Sequence, residues 1–386
     1  MNRITLGLLA LIAAGAPALA QTPVKIGMIT TLSTPGGYLG EDMRDGFMLA
    51  IKEGGGKLGG IPVELVVADD GLNPTTGKTI AERMLQQDKI RLFTGSIFTA
   101  VTLAIIPDIL RANAFFINNN NGPKEYDGAN CKPNYFASAW QNDASAGSAG
   151  VAANVSGAKR VVTIAANYYT GLEFVGSFKK NFKGQVVDEI LVKLNQTDYA
   201  AEVSQIKALK PDGIYSFLPG GMGISFLRQL RQAGVTGVKI FPGTTIDGRL
   251  MQALGEAGKD VIGSSNWVED LDNPANKKFV AAYRAEYKRV PTVYAASGYD
   301  TARLIGSALK KVNGNLDDAE GFRKAILAAD FDSVRGKISF GKSQTVIQDW
   351  YMTHYAVNDA KEPVQKLSKK IIENYTTDLA EQCTLK

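Results

Sequence analysis

Seven short segments of this sequence each follow a run of apolar residues, and together they are rich in glycine and in hydroxyl, amide and aromatic side chains. They occupy residues 30–40, 95–100, 118–122, 167–171, 218–223, 242–245 and 265–267. None of them contains a charged side chain. Turn formation explains some of these residues singly, but hardly all seven segments together. Small donors, amides and rings suit the recognition of a neutral or anionic ligand with an apolar body.

Residues that catalyse reactions or hold metals are poorly arranged. His354 is the only histidine, and no serine or cysteine motif accompanies it. Asp69 and Asp70 are adjacent on a predicted strand, so their side chains point to opposite faces and cannot act as a paired acid and base. The two cysteines, Cys131 and Cys383, lack the spacing of a zinc site. We therefore expect no catalytic residue, no metal and no cofactor.

The seven segments stand where strands of two sheets are predicted to end. Apolar runs rich in Val, Ile and Phe predict strands at 24–29, 63–68, 91–94 and 114–117, and then at 161–165, 186–192, 213–217, 238–241 and 261–264. Segments of helical period separate these runs, as at 40–53, 75–87 and 99–111. Such alternation predicts parallel sheets with helices on both faces. Ligands of such sheets bind outside the carboxyl ends of the strands.

A third block breaks the alternation. Residues 274–328 are predicted to be mostly helical, and strands return at 337–340 and 349–357. The extra helices are expected to complete the first of two lobes, so that the chain crosses between the lobes more than once.

The N-terminus predicts export. Residues 1–20 contain Arg3, an apolar run from Leu6 to Ala14 and the sequence Ala18-Leu19-Ala20, which together are typical of a cleaved signal peptide. Residue 21 is Gln, so a lipid anchor has no attachment point. We expect cleavage after Ala20 and a soluble protein in the periplasm. The 366 residues left of 386 are too many for one core, which favours two domains.

Cysteine usage agrees with export, and the charge pattern does not indicate a nucleic-acid partner. The formal charge of +5 is spread along the chain. Short pairs such as Lys179-Lys180, Lys310-Lys311 and Lys369-Lys370 are interpreted as solvated helix faces, not as a nucleic-acid footprint. In an oxidising compartment, the two cysteines are candidates for a disulfide that ties the C-terminal tail to the middle of the chain.

Longer segments resemble a known family. VKIGMITTLSTPGGYLGEDMRDGFMLAIKE, GGIPVELVVADD and YAASGYDTARLIGSAL are similar to the branched-chain amino acid-type periplasmic binding proteins of ABC transporters, and the resemblance covers residues 24–356. NYYTGLEFVGSFKKNFKGQVVDE, SFLPGGMGISFLRQLRQAG, NPANKKFVAAYRAEY and Cys383 resemble the subgroup that takes up aromatic acids.

The resemblance implies a periplasmic binding protein of type I, with two Rossmann-like lobes joined by a three-stranded hinge. Lobe 1 would comprise residues 21–139 and 269–344, lobe 2 residues 140–268 and 345–386, and the ligand would lie in the cleft between them. The expected function is that of a monomeric receptor that delivers a small molecule to an inner-membrane ABC permease.

The resemblance also implies the contact residues. Lobe 1 would contribute Tyr38, Ser96, Ile97, Phe98, Thr99, Asn119 and Asn120, with the Ser96 and Thr99 hydroxyls and backbone N–H groups at the following helix start holding a carboxylate. Lobe 2 would contribute Tyr168, Tyr169, Gly220, Gly221 and Thr244, with Trp267 near a hinge.

One departure from the family bears on the ligand. Amino acid-binding members commonly carry an acid, which receives the ligand's ammonium group, in the turn that here reads Gly243-Thr244-Thr245. Asp247 is the nearest acid and is expected to cap the next helix. A buried ammonium without an anionic partner costs several kcal/mol. We therefore expect a ligand without an amino group, preferably an aromatic carboxylate. The alternatives are a branched-chain or other amino acid receptor, a sensory receptor with the same cleft and, least favoured, an enzyme.

Overall fold

A computed structural model describes residues 22–34, 36–244 and 246–385 of the chain. Its first elements are β1 (Val24–Thr30), α1 (Gly37–Glu53), β2 (Lys57–Leu58), β3 (Ile61–Asp69), α2 (Pro74–Gln86), β4 (Leu92–Gly95), α3 (Thr99–Arg111), β5 (Phe115–Asn118), β6 (Asn121–Gly122), β7 (Tyr135–Ala137) and β8 (Trp140–Gln141). The signal peptide predicted at 1–20 lies outside the described residues.

The middle of the chain contains α4 (Asn142–Val155), β9 (Arg160–Ala166), α5 (Tyr169–Asn181), β10 (Gln185–Val192), α6 (Ala200–Leu209), β11 (Gly213–Phe217), α7 (Gly221–Gln232), β12 (Lys239–Pro242), α8 (Gly248–Leu254) and β13 (Ile262–Ser265). The last part contains α9 (Pro274–Tyr287), α10 (Val293–Lys311), α11 (Ala319–Ala328), β14 (Ser339–Phe340), β15 (Val346–Val357) and β16 (Pro363–Tyr375). None of the described helices combines the length and the apolar character that crossing a membrane requires.

The first sheet has six strands in the order β2-β3-β1-β4-β5-β7. All of its pairs are parallel except β2 with β3. Apolar side chains are buried on both of its faces, as a parallel sheet covered by helices requires. Phe93 and Phe116 pack towards α2 and α3, whereas Ile26 and Phe115 pack in a cluster with α1, α10 and α11. The extra helices therefore complete the first lobe, as expected.

Helices α1 and α10 approach each other closely because glycines face the contact. A Cβ added to Gly46 would lie 1.9 Å from the carbonyl oxygen of Ala295, and one added to Gly298 would lie 2.0 Å from that of Met43. Any larger residue at these two positions would push the helices apart. The contact fixes the start of α10, at Val293 and Tyr294, beside the cleft.

The second sheet has four parallel strands in the order β10-β9-β11-β12. Phe178 of α5 stacks on Tyr215 of β11 at 4.1 Å on one face. Leu227 and Leu230 of α7 belong to the core on the other face. The two sheets with their helices form the two lobes, and the α/β architecture predicted from the alternation is confirmed.

Two details of the strand prediction are wrong. Strand β13 touches the second sheet through one parallel bridge, Ile240 with Val261, but its ladder is antiparallel to β15. Strand β16 was not predicted, and Lys369-Lys370 lies on it and not on a helix. Within the described part of the chain, β16 pairs with β15 alone and stays at an edge, where lysines can interrupt the apolar pattern of a strand.

A buried network joins the segments where the chain passes between the sheets. Arg335, 5 % exposed, pairs with Asp300 at 2.8 Å and donates to the carbonyl oxygens of Ser138 and Ala139 and to the side chain of Gln348. Asn266 donates to the same carbonyl of Ala139 and to Gln348, each at 3.1 Å. Three chain segments distant in sequence thus meet at one hinge.

The predicted disulfide between Cys131 and Cys383 is present and joins cysteines 252 residues apart. It holds the C-terminal tail against the loop that leads to β7. Asp378 of the tail also pairs with Lys180 of α5 at 2.5 Å. The tail therefore contacts elements of both lobes.

Candidate ligand-binding site

The carboxyl ends of strands from both sheets converge on one cavity. It contains about 620 Å³ of empty space, its open mouth included. Its described lining consists of Leu39, Ile97, Phe98, Thr99, Asn120, Trp140, Asn142, Ser145, Tyr168, Thr170, Phe174, Phe217, Pro219, Thr244, Asn266, Val293, Tyr294 and Trp350. Seven of these eighteen residues are aromatic, and none of them is charged. The cavity can therefore enclose a flat apolar body and offer it uncharged polar groups.

Six of the thirteen predicted contact residues line the cavity: Ile97, Phe98, Thr99, Asn120, Tyr168 and Thr244. They come from the ends of β4, β5, β9 and β12, where the parallel-sheet rule places them. Asn120 shapes this surface because its Nδ2 donates to the carbonyl oxygens of Ser96, at 3.0 Å, and Ile97, at 2.7 Å.

Ser96 and Asn119 lie beneath the cavity wall. Both are fully buried. Asn119 accepts a hydrogen bond from the backbone N–H of Gly95 through Oδ1 at 3.1 Å. The Ser96 Oγ and the Asn119 Nδ2 have no partner among the described residues. Neither side chain lines the cavity, so each supports the residues that do.

Tyr38, Gly220 and Gly221 stand at the edge of the cleft and do not line the cavity. The Arg249 guanidinium lies over the Tyr38 ring at 5.6 Å, and burial is the main reason that the Tyr38 pKa is raised. Gly220 has a φ of 61°, and a Cβ added to it would lie 3.6 Å from the Cα of Gly36. The backbones of the two lobes therefore meet at this point, directly before Gly221 begins α7.

Tyr169 and Trp267 lie away from the cavity. Tyr169 begins α5 with its ring turned outward, 44 % exposed, and its hydroxyl donates to Glu125 at 2.5 Å. Trp267 is packed in the core against Phe279, and its Nε1 donates to Asn276 at 2.7 Å. Each ring is held by partners elsewhere, so their predicted ligand contacts gain no support from this arrangement.

Sequence reasoning missed twelve lining residues, for two reasons. Thr170, Pro219 and Asn266 belong to the strand-end segments but were not selected within them. Trp140 and Trp350 lie on strands β8 and β15 at the hinge, and Tyr294 lies in the first turn of α10. These positions carry no loop signal in the sequence, because the juxtaposition of two sheets creates them.

No carboxylate reaches the described lining, although two acids lie nearby. Asp247 was expected to cap α8, but its side chain makes no cap hydrogen bond there. Its Oδ2 instead accepts from the backbone N–H of Val293 at 2.6 Å, at the start of α10. Burial is the main cause that raises the pKa of Asp247 to about 8. The carboxylate of Asp247 is therefore engaged in a hydrogen bond at the start of a helix of the other lobe.

The second nearby acid is Glu173, which lies behind Asn142. Asn142 donates through Nδ2 to Glu173 at 2.9 Å and to the Thr99 hydroxyl at 3.4 Å. Burial is the main reason that the pKa of Glu173 rises to about 7, and the carboxylates of Glu125 and Asp143 act in the same direction. Asn142 thus separates this acid from the cavity.

Arg249 links the two sides of the cleft. It follows β12 and pairs with Glu41 at 3.1 Å and with the buried carboxylate of Asp42, both on α1. It also donates to the carbonyl oxygen of Tyr38 at 3.2 Å. The lobes are therefore in contact around the cavity, in a closed arrangement.

A family model described as "Periplasmic binding protein" matches residues 23–361. The chain belongs to the periplasmic binding protein family. Among solved structures, this periplasmic binding protein is similar to an ABC-transporter solute-binding protein from R. palustris in complex with benzoate. The TM-score is 0.86 at 28% identity, covering 94% of this chain and 100% of that one.

Two further relatives span nearly the whole chain. A solute-binding protein from Rhodopseudomonas palustris BisB5, solved with 3,4-dihydroxy benzoic acid, has a TM-score of 0.82 at 26% identity and covers 91% of this chain and 98% of its own. The "Leu/Ile/Val-binding protein homolog 6" of Brucella melitensis is 26% identical over 374 residues, 93% of this chain and 94% of that protein.

These likenesses confirm the type I fold and the function class. This periplasmic binding protein is a solute-binding protein of an ABC transporter. Members of the family are receptors for small molecules that work with a permease.

Proposed function

We propose that this periplasmic binding protein binds an aromatic carboxylate and delivers it to an inner-membrane ABC permease. The observation that carries the proposal is the uncharged, ring-rich lining of its cavity. A ligand ammonium would meet no acid among the described lining residues, and a buried unpaired cation costs several kcal/mol. The benzoate and dihydroxybenzoate complexes of its relatives support the same ligand class.

The ligand ring would lie among the aromatic side chains of both lobes, with Phe98 on one side and Phe174 and Phe217 on the other. Phe174 and Phe217 already pack at 4.1 Å and form a continuous apolar wall. A third ring against such a wall gains from both area burial and ring geometry. The predicted contacts Ile97, Asn120, Tyr168 and Thr244 complete this set, whereas Tyr38, Ser96, Asn119, Gly220 and Gly221 would shape it from behind.

The carboxylate would be held at the start of two helices. Thr99 is the first residue of α3 and Thr170 the second of α5, and both line the cavity. Neither helix has a side-chain cap hydrogen bond at its N-terminus. Backbone N–H groups and the helix dipole favour an anion there, and threonine hydroxyls add donors.

Binding would be coupled to closure of the cleft. The lining comes from both lobes, so a bound ligand gains contacts only when they approach each other. A ligand shifts such an equilibrium by its differential affinity for the two states. The lobes would be residues 21–139 with 269–344 and 140–268 with 345–386, with the disulfide-linked tail contacting both.

The remaining features of the proposal concern the mature protein. Cleavage after Ala20 would release it to act as a monomer in the periplasm. It would bind its ligand without chemical change, since the described lining contains no acid–base pair. Neither metal nor cofactor is required for such recognition, and nucleic acid is not expected as a partner.

Calorimetry with purified protein tests the ligand class. We expect benzoate or a ring-substituted benzoate to bind with a dissociation constant in the micromolar range or below, and leucine and valine to give no heat of binding. A screen by thermal shift across aromatic acids and amino acids selects the ligands to titrate. Tight binding of leucine or valine, with no response to any aromatic acid, would contradict the proposal and support an amino acid receptor.

A further inference from the structure

Several of the polar side chains that line the cavity donate their hydrogen bonds to other groups of the protein. Ser145 donates through Oγ to the carbonyl oxygen of Gly243 at 2.8 Å. Asn266 donates to Ala139 and Gln348, and Asn120 donates to two carbonyls of its own loop. These groups fix the shape of the cavity and have few donors left for a ligand.

Trp350 differs from them. Its side chain lines the cavity and is 2 % exposed, and its Nε1 has no hydrogen-bond partner among the described residues. The indole nitrogen can only donate, so the missing partner is an acceptor. A buried indole N–H usually has one. Because the ring lines the cavity, the contents of the cavity are the natural source of that acceptor.

Trp350 belongs to a different element from the residues of the carboxylate site proposed above. It lies on β15 at the hinge, where its backbone is paired with Ile372 of β16. Thr99 and Thr170 instead lie at the starts of helices that follow β4 and β9. The indole donor on a hinge strand and the donors at two helix starts therefore come from different elements that line the same cavity.

The chemistry of the indole N–H also limits what it can hold. It is a single uncharged donor, and no described lining residue supplies a positive charge beside it. A second carboxylate placed there would be desolvated without adequate compensation. A hydroxyl or ether oxygen needs only one or two hydrogen bonds, so it suits a lone donor among rings.

We propose that Trp350 is a specificity-determining residue whose Nε1–H donates to an oxygen substituent on the ligand ring. The site then prefers hydroxylated or alkoxylated aromatic carboxylates to unsubstituted benzoate. This inference rests on the proposed function, because it assumes that the ligand is an aromatic acid bound in this cavity.

Calorimetry on the full mature protein and two variants tests the inference, with benzoate and the three monohydroxybenzoates as probes. We expect the wild-type protein to bind at least one hydroxybenzoate about tenfold more tightly than benzoate, which is the effect of one satisfied hydrogen bond in a buried site. W350F should remove this preference, because the loss of ring area weakens both ligands alike, whereas the loss of the N–H donor weakens only the hydroxybenzoate.

The matched control is W140F, which makes the same change in another lining tryptophan. Trp140 packs edge-on against Tyr294 at 5.8 Å. Loss of part of this wall should weaken benzoate and hydroxybenzoate by the same factor and so preserve the preference. Equal binding of benzoate and all hydroxybenzoates by the wild-type protein would overturn the inference, as would an equal loss for both ligands in W350F.

A measurement on the unaltered protein covers the case in which W350F fails to fold. The chain contains three tryptophans, so a ¹⁵N-labelled sample has three indole N–H resonances, and W140F and W267F assign the third by elimination. We expect the Trp350 resonance to move downfield with the preferred hydroxybenzoate and much less with benzoate. Identical shifts with both ligands would refute the hydrogen bond. Absence of binding by any aromatic acid is a different outcome, because it would overturn the proposed function and this inference together.

Discussion

At the scale of single residues, Thr244 occupies the place where a carboxylate would change the choice of ligand. It lines the cavity after β12, and the nearest acid along the chain, Asp247, is engaged with the N–H of Val293. The two positions differ by three residues, yet only one of them faces the ligand space. The proposed preference for an anionic ligand therefore depends on the sequence of one turn.

Replacing Thr244 by aspartate should strongly weaken binding of an aromatic carboxylate. Two carboxylates within one buried site repel each other, and one must take up a proton for both to remain. We expect T244D to lower the affinity at pH 8 by about 100-fold or more, which corresponds to about 3 kcal/mol. T244N, with the same shape and no charge, is the control in calorimetry. Equal affinities of the two variants would contradict this assignment of Thr244.

Glu173 should make stability fall as the pH rises. Burial raises its pKa from the ordinary value to about 7, so the folded protein holds a proton that the unfolded chain releases at lower pH. Its stabilising effect is complete below about pH 4.5 and is lost as the pH rises towards and through 7. We expect E173Q to unfold at a higher temperature than the wild type at pH 8, by about 2 °C or more, and to show little difference at pH 5.

The control for this pH dependence is E64Q, a change at an exposed position on β3. Unfolding temperatures measured between pH 5 and 8 should follow the wild-type curve in E64Q and flatten in E173Q. A wild-type curve that keeps its slope in E173Q would show that other groups cause it, among them Asp247, whose pKa is also raised, to about 8.

At the scale of elements, the sequence predicts those whose boundaries follow from local chemistry. Gly213–Phe217 and Thr99–Arg111 match their predicted limits because the apolar runs and the helical period end at clear turn residues. Strand Pro363–Tyr375 was missed because an edge strand with several lysines lacks the continuous apolar run of a central strand.

The residues of the candidate site also fall into a group that could be predicted from the sequence and a group that could not. Residues at strand ends, such as Thr99 and Thr244, could be predicted because the carboxyl ends of parallel strands always meet at one edge. Trp140 and Trp350 could not, because they reach the cavity only through the way in which the hinge places one sheet against another. Local pattern contains no information on that placement.

The hinge network should be as important to stability as a core cluster. Arg335 and Asp300 are both almost fully buried and satisfy each other, with the remaining donors of Arg335 bound to two carbonyls and Gln348. Removing the cation in R335M leaves a buried carboxylate unpaired, which typically costs about 3–5 kcal/mol. Urea unfolding measures the loss.

The double variant R335M/D300N completes this experiment. It removes the stranded charge, so part of the lost stability should return, and the cycle gives the coupling energy of the pair. R335M with unchanged stability, or a double variant less stable than the sum of the single changes, would contradict the role of the network.

At the scale of the whole molecule, the proposed closure would be assisted by contacts that do not touch the ligand. The described arrangement brings Arg249 against Glu41 and Asp42, and Tyr169 against Glu125, across the cleft. We expect these ion pairs and hydrogen bonds to form only when the lobes approach. They would then lower the free energy of the closed state even before a ligand is present, so that less free energy has to come from ligand binding.

Arg249 makes the strongest of these contacts and gives the sharpest test. Asp42 is completely buried and is also held by Arg289, Tyr283 and Thr292, so it remains satisfied when Arg249 leaves. R249A should thus shift the equilibrium towards the open form without unfolding the first lobe. Because apparent affinity falls in proportion to the population of the binding-competent state, we expect about tenfold weaker binding of any ligand, irrespective of its substituents. The ligand-free variant should also have a larger radius of gyration than the wild-type protein in X-ray scattering.

R91A provides the matched control, since Arg91 pairs with the exposed Asp317 at 3.0 Å far from the cleft. If R249A and R91A bind ligand equally well and scatter alike, the Arg249 contacts do not stabilise closure, and the energy for it has to come from the ligand alone.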